Sequence, residues 1–153
     1  MRYIESEAVE LKEKFTDVIC KDIVAFLNTS GGILILGVRD DGTVVGVKKI
    51  DETMKKISDV ITMQIEPNPQ DEIRSELKFE DGKTLIVVYV NKGIRNIYCQ
   101  KRYGFSSSGC VVRVGTTCAE TSDRGSWKHG CFHVIKFRLV SENHSKSSFS
   151  IAG

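Results

Sequence analysis

One stretch of the sequence, residues 19–36, changes its hydrophobic period at its centre. Before Asn28, apolar residues recur at the spacing of an amphipathic helix, at Ile19, Ile23, Phe26 and Leu27. After Gly32, the apolar run 33–36 is unbroken, which is typical of a strand that is covered on both faces. Asn28 and Gly31 suit a helix C-terminus, because both residue types tolerate positive φ. This stretch therefore predicts a helix that leads directly into a central strand.

Two Asp-Gly pairs, each placed between apolar runs, predict β-hairpins. The first pair, at 41–42, predicts that residues 33–47 form one hairpin. The second pair, at 81–82, is predicted to join a half-buried strand over 72–80 to a buried strand over 84–90. Both hairpins are expected to belong to one sheet.

Two helices are predicted to pack on this sheet. The first covers 17–28, with Thr16 or Asp17 as its N-cap, and the second covers 51–65, with Asp51 as its N-cap. Further strands are predicted over 7–14, 97–100 and 111–114. We therefore predict an α/β (α+β) fold in which two main helices pack on a mixed, largely antiparallel sheet.

The composition is that of an ordinary soluble domain. The 153 residues are enough to bury a core without cross-links, and the five cysteines form no CxxC pair, so we expect free thiols. No apolar run approaches the ~20 residues of a membrane helix, and the N-terminus lacks the apolar segment of a signal peptide, which favours a cytoplasmic protein. We predict no metal site, because a His129, Cys131 and His133 set would need a fourth ligand from elsewhere.

Positive charge is concentrated in the later part of the chain. Residues 1–91 hold 12 Lys and Arg against 17 Asp and Glu, a balance of −5, whereas residues 92–138 hold 9 against 2, a balance of +7. A positive segment can attract a phosphate backbone, and exposed aromatic side chains can stack on unpaired bases. The aromatic residues of this segment are Tyr98, Tyr103 and Phe105. An alternative stays open. The lysine and arginine side chains of this segment could form a solvated surface without a partner, and its aromatic residues could belong to the core.

Three segments, in this order, resemble the Schlafen AlbA-like domain. They are a Glu-Ser-x-x-x-Glu-x-Lys pattern at 5–12, an Asn-Thr-x-Gly-Gly helix end with the following strand and Asp-Asp-Gly turn at 28–46, and a tyrosine, arginine and Gly-Thr-Thr signature at 103–117. The resemblance covers roughly residues 3–123. It predicts a Schlafen AlbA-like domain over 1–124, followed by a serine-rich, poorly ordered tail over 125–153.

The resemblance implies a DNA-binding module of a bacterial transcriptional regulator rather than an enzyme. The nucleic-acid-binding residues that we predict are Lys12, Lys92, Arg95, Lys101, Arg102, Tyr103 and Arg113. No cofactor is expected: Gly82-Lys83-Thr84 is the nearest approach to a P-loop, but it lies in a hairpin turn that leads to a strand. The predicted partner is nucleic acid, with DNA favoured over RNA, and no membrane; a homodimer is left open.

Two alternatives to this interpretation remain. Schlafen-type nucleases hold a divalent cation with a cluster of carboxylates, and the matching positions are Glu5, Glu10 and Asp40, which would bind Mg²⁺ or Mn²⁺ as catalytic residues. Glu5 and Glu10 differ by an odd number, so a bend must lie between them if they are to converge. If there is no such site, Glu10 pairs with Lys12 instead. The second alternative is a dimerisation or interaction domain whose DNA reader lies elsewhere.

Overall fold

The computed structural model describes residues 2–95 and 97–120. Its strands are, in chain order, β1 (Val9–Lys12), β2 (Gly32–Leu36), β3 (Ile65–Glu66), β4 (Ile73–Glu80), β5 (Lys83–Val90), β6 (Cys99–Gln100), β7 (Val111–Val114) and β8 (Thr117–Glu120). Its α-helices are α1 (Val18–Leu27) and α2 (Ile50–Asp59), and a π-helical turn, Val60–Gln64, continues α2. The predicted tail and its possible metal ligands at 129–133 lie outside the described residues.

The main sheet has the strand order β1-β2-β5-β4. β1 runs parallel to β2, whereas β2 and β5, and β5 and β4, are antiparallel. Two small ribbons, β3 with β6 and β7 with β8, complete the strand pairing of the described residues. The predicted α+β fold, with two helices and a mixed, largely antiparallel sheet, is confirmed.

The main sheet has a hydrophobic cluster on each face, because β2 and β5 are buried on both faces. On one face, Phe26 of α1 packs with Leu34 and Ile86 of the two central strands. On the other face, Leu11 of β1 and Ile35 of β2 form a smaller cluster, against which Tyr3 packs. The unbroken apolar runs of β2 and β5 reflect this double coverage. Among the described residues, no helix is long and apolar enough to cross a lipid bilayer.

The first predicted hairpin is wrong beyond its turn. The turn itself forms, since Gly42 N donates to Arg39 O at 2.8 Å and Val38 pairs with Val44, but the backbone bonds across it reach back only to Gly37, which accepts from Val45 N and Gly46 N. β5, and not the segment after the turn, lies beside β2 in the sheet. The end of this segment bonds to β5 and not to β2, because Val47 N donates to Thr84 O at 2.8 Å. The second predicted hairpin, β4 with β5, is confirmed.

The ends of the helices also differ from the prediction. Asp17 is the N-cap of α1 but makes no side-chain cap bond, and Lys49, not Asp51, precedes α2. Asp51 lies instead in the first turn of α2, where a carboxylate is favourable at the positive end of the helix dipole. Asn28 ends α1 as expected, with φ −84°, and Gly31 rather than Asn28 takes a positive value, φ +76°.

Candidate nucleic-acid interface

A cleft of ≈ 780 Å³ opens between the start of α1, the π-helical turn and the loop after β6. Its cationic side chains are Lys21, Lys101 and Arg102, and its carboxylates are Asp17 and Glu120. Three cations against two carboxylates give this cleft, which we call the basic cleft, a net charge of +1.

An aromatic ring stands beside the cations of the basic cleft. Tyr103 is 48 % exposed, and the guanidinium of Arg102 lies 5.5 Å from the centre of its ring. An arginine stacked on an exposed ring presents charge to a phosphate and a flat surface to a base. The arrangement therefore provides the two kinds of contact that a nucleotide needs.

Backbone hydrogen bonds hold this loop in place. Lys101 N donates to Gln64 O at 2.8 Å, which ties the loop to the π-helical turn. Tyr103 N and Gly104 N both donate to Gln100 O, at 2.9 and 3.0 Å, and close a tight turn. Because the backbone groups of the loop bond inward, the side chains at 101–103 remain exposed.

Two further predicted residues, Lys92 and Arg95, lie at the opposite end of α1. Their loop is fixed there because Gly93 N donates to Leu27 O at 3.0 Å, whereas the basic cleft contains Val18 from the start of the helix. A helix of ten residues is about 15 Å long. Both basic side chains at 92 and 95 are exposed. The structure thus divides the exposed predicted residues into two groups, one at each end of α1.

Arg113 is buried, with only 2 % of its surface exposed. Its Nη1 lies 2.6 Å from Glu10 Oε2, its Nη2 donates to Ser6 O at 2.9 Å, and its Nε donates to Glu7 O at 3.2 Å. The guanidinium also lies 4.8 Å from the centre of the Phe26 ring. Arg113 faces away from its neighbouring valines, as alternation along β7 predicts, but that direction leads into the protein. An arginine held in this way does not present its charge to a phosphate backbone.

Lys12, whose side chain is 23 % exposed, contacts the same group from the edge of the interior. Its Nζ lies 2.7 Å from Glu10 Oε1 and 3.5 Å from Asp22 Oδ2. The sulfur of Cys118 lies 3.2 Å from Asp22 Oδ1. Together, Glu10, Lys12, Asp22, Arg113 and Cys118 form what we call the buried ionic network. It joins β1, α1 and the β7–β8 ribbon, so it stabilises the packing of these three elements.

The three acids of the nuclease alternative have different surroundings. Glu10 is buried within the network, Glu5 accepts a long hydrogen bond of 3.4 Å from Leu11 N, and Asp40 is exposed in the turn after β2. Within residues 2–95 and 97–120, no group of three or more His, Cys, Asp or Glu side chains is arranged to hold a metal ion. Glu10 therefore contacts two cationic side chains, those of Lys12 and Arg113. In the described part of the chain it does not form a metal site with Glu5 and Asp40.

Asp22 was not among the predicted residues, although the sequence contains a signal for it. It lies on the apolar stripe of α1, three residues after Ile19 and four before Phe26, where a carboxylate is unexpected. It is 3 % exposed, and its Oδ2 has no hydrogen-bond partner in the described part of the chain, although the Lys12 ammonium is near. Burial raises the pKa of Asp22, and the charge of Lys12 opposes this shift only in part.

Burial also raises the pKa of Cys118 to about 12, so the thiol keeps its proton near neutral pH and can donate to the carboxylate of Asp22. The other cysteines of the described residues, Cys20, Cys99 and Cys110, are buried free thiols, as predicted.

The Asp22→Asn variant tests the cost of this buried carboxylate. Because the pKa of Asp22 is higher in the folded chain than its unfolded value of about 3.9, its contribution to stability is full below that pH and falls as the pH rises through the folded pKa. We therefore expect the stability of Asp22→Asn, relative to the parent chain, to increase as the pH rises above about 4. Urea unfolding at several pH values measures it.

The control for this measurement is Asp51→Asn, an exposed change on α2. Its stability relative to the parent chain should not rise in the same way. A difference between Asp22→Asn and the parent chain that is constant with pH would contradict the expectation.

Comparison with known proteins gives a family match and a shared fold. The sequence model of the family described as "Schlafen, AlbA_2" matches residues 5–122. The crystal structure of the DIP2311 protein from Corynebacterium diphtheriae is similar, with a TM-score of 0.54 and 20 % identity over 74 % of this chain and 22 % of that chain. This chain therefore spans less than a quarter of the DIP2311 chain.

A second similar structure is the N-terminal domain of a protein from Nitrosomonas europaea described as related to the ATP-dependent DNA helicase RecG. Its TM-score is 0.51, with 22 % identity over 80 % of this chain and 88 % of that domain. At such identities the two structures show the fold alone. No curated protein sequence is significantly similar to this chain.

Proposed function

This chain belongs to the Schlafen AlbA_2 family, and we propose that it is a nucleic-acid-binding module that uses the basic cleft. The finer proposal is that its ligand is DNA and that it serves a bacterial transcriptional regulator in the cytoplasm. The family match supports a nucleic-acid-related role, and so does the fold shared with a domain of a protein described as related to a DNA helicase.

One observation carries the proposal: the exposed pair of Arg102 and Tyr103 beside Lys101 in the basic cleft. Lysine and arginine neutralise phosphates, and an exposed ring stacks on a base whatever its identity. The cleft also contains Asp17 and Glu120, which repel a phosphate. We therefore expect weak, largely sequence-independent binding that depends strongly on salt.

Reading of base edges by α1 is not part of the proposal. A recognition helix must present side chains to the major groove. In α1, however, residues 22–27 are all buried against the sheet and the ribbons. The helix instead acts as a support that holds the basic cleft at its start.

Replacing Lys101 and Arg102 together with alanine is expected to weaken DNA binding and to flatten its salt dependence. Each lost phosphate contact reduces the slope of log affinity against log salt by about 0.9, so the double change should reduce it by up to ~2. Fluorescence anisotropy of labelled DNA between about 50 and about 200 mM salt measures the slope.

Lys55→Ala is the matched control for this experiment. Lys55 is an exposed lysine of α2, paired only locally with Asp59 at 3.0 Å, and it lies outside the basic cleft. Its removal should leave the salt slope unchanged. Absence of binding by the parent chain at about 50 mM salt, where electrostatic contacts are strong, would overturn the proposed function.

The same samples separate binding from cleavage. If labelled DNA and RNA remain intact with added Mg²⁺ or Mn²⁺, the binding module stands. Metal-dependent cleavage that is lost in a folded Glu10→Gln variant would instead support the nuclease alternative. This outcome would require Glu10 to exchange Arg113 for a cation, since the two are 2.6 Å apart.

A further inference from the structure

β4 is an edge strand, because it ends the order β1-β2-β5-β4 and no other strand of the described residues pairs with its outer side. Glu72 O accepts from Asn91 N at 2.8 Å, and Glu72 and Asn91 continue the β4–β5 register. Since bonding alternates along an antiparallel ladder, the even-numbered residues of β4 bond to β5. The N–H and C=O groups of Ile73, Ser75, Leu77 and Phe79 therefore point outward, away from β5.

The even-numbered residues of β4 carry charges of alternating sign. They are, in order, Arg74, Glu76, Lys78 and Glu80. Arg74 is paired with Glu76 at 3.3 Å and Lys78 with Glu80 at 3.5 Å, yet about half or more of the side-chain surface of Arg74, Glu76 and Lys78 remains exposed. All four lie on one face of the strand, because alternate residues share a face.

This pattern is complementary to itself when the strand is reversed about Leu77. An antiparallel pairing of β4 with a second β4 around a twofold axis at Leu77 places Glu76 opposite Lys78 and Arg74 opposite Glu80, twice each. The same register sets Leu77 opposite Leu77 and Ser75 opposite Phe79, all with outward backbone groups, so each of these pairs can exchange hydrogen bonds. We propose that this chain forms a homodimer by pairing its β4 edges in this register.

The charges select this register over its neighbours. Moving the twofold axis by one residue, onto Glu76, would place Glu76 opposite itself and Arg74 opposite Lys78. Moving it onto Lys78 would place Lys78 opposite itself and Glu76 opposite Glu80. Like charges directly opposite each other are destabilising, whereas opposite charges contribute favourably. Charged side chains of any sign can protect an edge strand from pairing. Protection alone therefore does not require that each charge face an opposite charge when the strand pairs with a second copy of itself.

The other face of β4 supplies apolar surface for the same contact. Leu77 is 45 % exposed and Phe79 is 76 % exposed, and both lie on the face of the sheet that carries Ile86. In the proposed register the two Leu77 side chains meet at the axis, and each Phe79 is diagonal to the Leu77 of the second copy. Such diagonal pairs are within reach of an aromatic side chain.

The proposed dimer is isologous and has one continuous eight-stranded sheet, in the order β1-β2-β5-β4-β4-β5-β2-β1. This assembly goes beyond nucleic-acid binding by the single chain. The basic cleft contains no residue of β4. Pairing through β4 therefore uses no residue of the cleft, and the dimer would carry two clefts.

The test is a charge exchange between two variants. In a pair of Lys78→Glu chains, Glu76 faces the new glutamate of the second copy, and in a pair of Glu76→Lys chains, Lys78 faces the new lysine. Each variant alone should therefore associate about tenfold or more weakly than the parent chain. In an equimolar mixture, positions 76 and 78 of one variant face the opposite charges of the other, so a heterodimer should form. Native mass spectrometry distinguishes the mixed species, and analytical ultracentrifugation gives the affinities.

Lys55→Glu on α2 is the control, because it changes the net charge by the same amount as Lys78→Glu at a distance from the edge; it should dimerise like the parent chain. Circular dichroism verifies that each variant is folded. Hydrogen exchange of the unchanged chain gives an independent measurement: amides of Ser75, Leu77 and Phe79 should gain protection as the concentration rises, whereas those of Glu76 and Lys78 should be protected throughout. A parent chain that stays monomeric, or variants whose mixture forms no heterodimer, would overturn the proposal.

Discussion

Replacing Arg113 with alanine is expected to lower the free energy of unfolding by about 3–5 kcal/mol, because it leaves the buried carboxylate of Glu10 without its closest cation. The change also removes the donors that bond Ser6 O, Glu7 O and Val9 O, and it opens space beside the Phe26 ring. Lys12 remains near Glu10, but its single ammonium cannot replace the planar guanidinium that bonds several carbonyl groups at once. Arg113→Lys should therefore recover only part of the loss.

Urea unfolding at neutral pH measures this effect. Arg102→Ala is the control, since its exposed side chain should change stability by less than about 0.5 kcal/mol. A loss of less than about 1 kcal/mol in Arg113→Ala, which is typical of an exposed ion pair, would mean that the buried ionic network does not hold β1 to the β7–β8 ribbon.

Replacing Asn28 with alanine is expected to destabilise the fold by about 2–4 kcal/mol. The Asn28 amide donates to Tyr98 O at 2.8 Å and to Val111 O at 2.9 Å, and its carbonyl accepts from Tyr98 N at 2.7 Å. All three bonds are buried, and a buried backbone group that loses its partner costs about 1–3 kcal/mol. One side chain thus joins the end of α1 to the segment before β6 and to β7.

Thr29→Ala is the matched control, because the Thr29 side chain makes one local bond, to Ala25 O at 2.6 Å, and its loss should cost less than about 1 kcal/mol. Asn28→Asp gives a second comparison. It keeps the acceptor for Tyr98 N but turns a carboxylate toward two carbonyl oxygens, so it should not restore stability. If Asn28→Ala unfolds at the same urea concentration as Thr29→Ala, these bonds contribute little.

Asn28 also shows which structural features can be predicted from the sequence and which cannot. Its position at the end of a helix is correctly predicted from the change of period, but with φ −84° it does not use the tolerance of asparagine for positive φ. The side chain is important because of Tyr98 and Val111, which are 70 and 83 residues away. Local periodicity defines where an element ends, whereas it contains no information on which distant backbone groups that end will meet.

The strands give the same lesson. The hairpin of β4 and β5 could be predicted because its turn and both of its strands are adjacent in sequence. The neighbour of β2 could not, because Leu34 pairs with Val88 across a long separation, and the nearby segment 43–47 looked equally strand-like. Long-range pairing depends on which partner covers more apolar surface, and this is a property of the whole chain.

The candidate site follows a similar division. Exposure of Lys101, Arg102 and Tyr103 could be inferred from their polar loop, and the structure places them together in the basic cleft. For Arg113, alternation with its valines gave the correct direction but not the burial, since that depends on Glu10 in β1. Asp22 could have been found from its place on the apolar stripe of α1.

The separation between Glu10 and Arg113, 103 residues, also has a consequence for synthesis. At a rate of about 5–20 residues per second, Glu10 is added to the growing chain about 5–20 seconds before Arg113. During that interval the carboxylate of Glu10 has no arginine partner, so it has to stay hydrated or near Lys12 of the same strand. The β7–β8 ribbon, which is made last among the described strands, therefore supplies the arginine that fixes β1 in place. A nascent chain that stops before residue 113 should keep its N-terminal segment accessible to proteases.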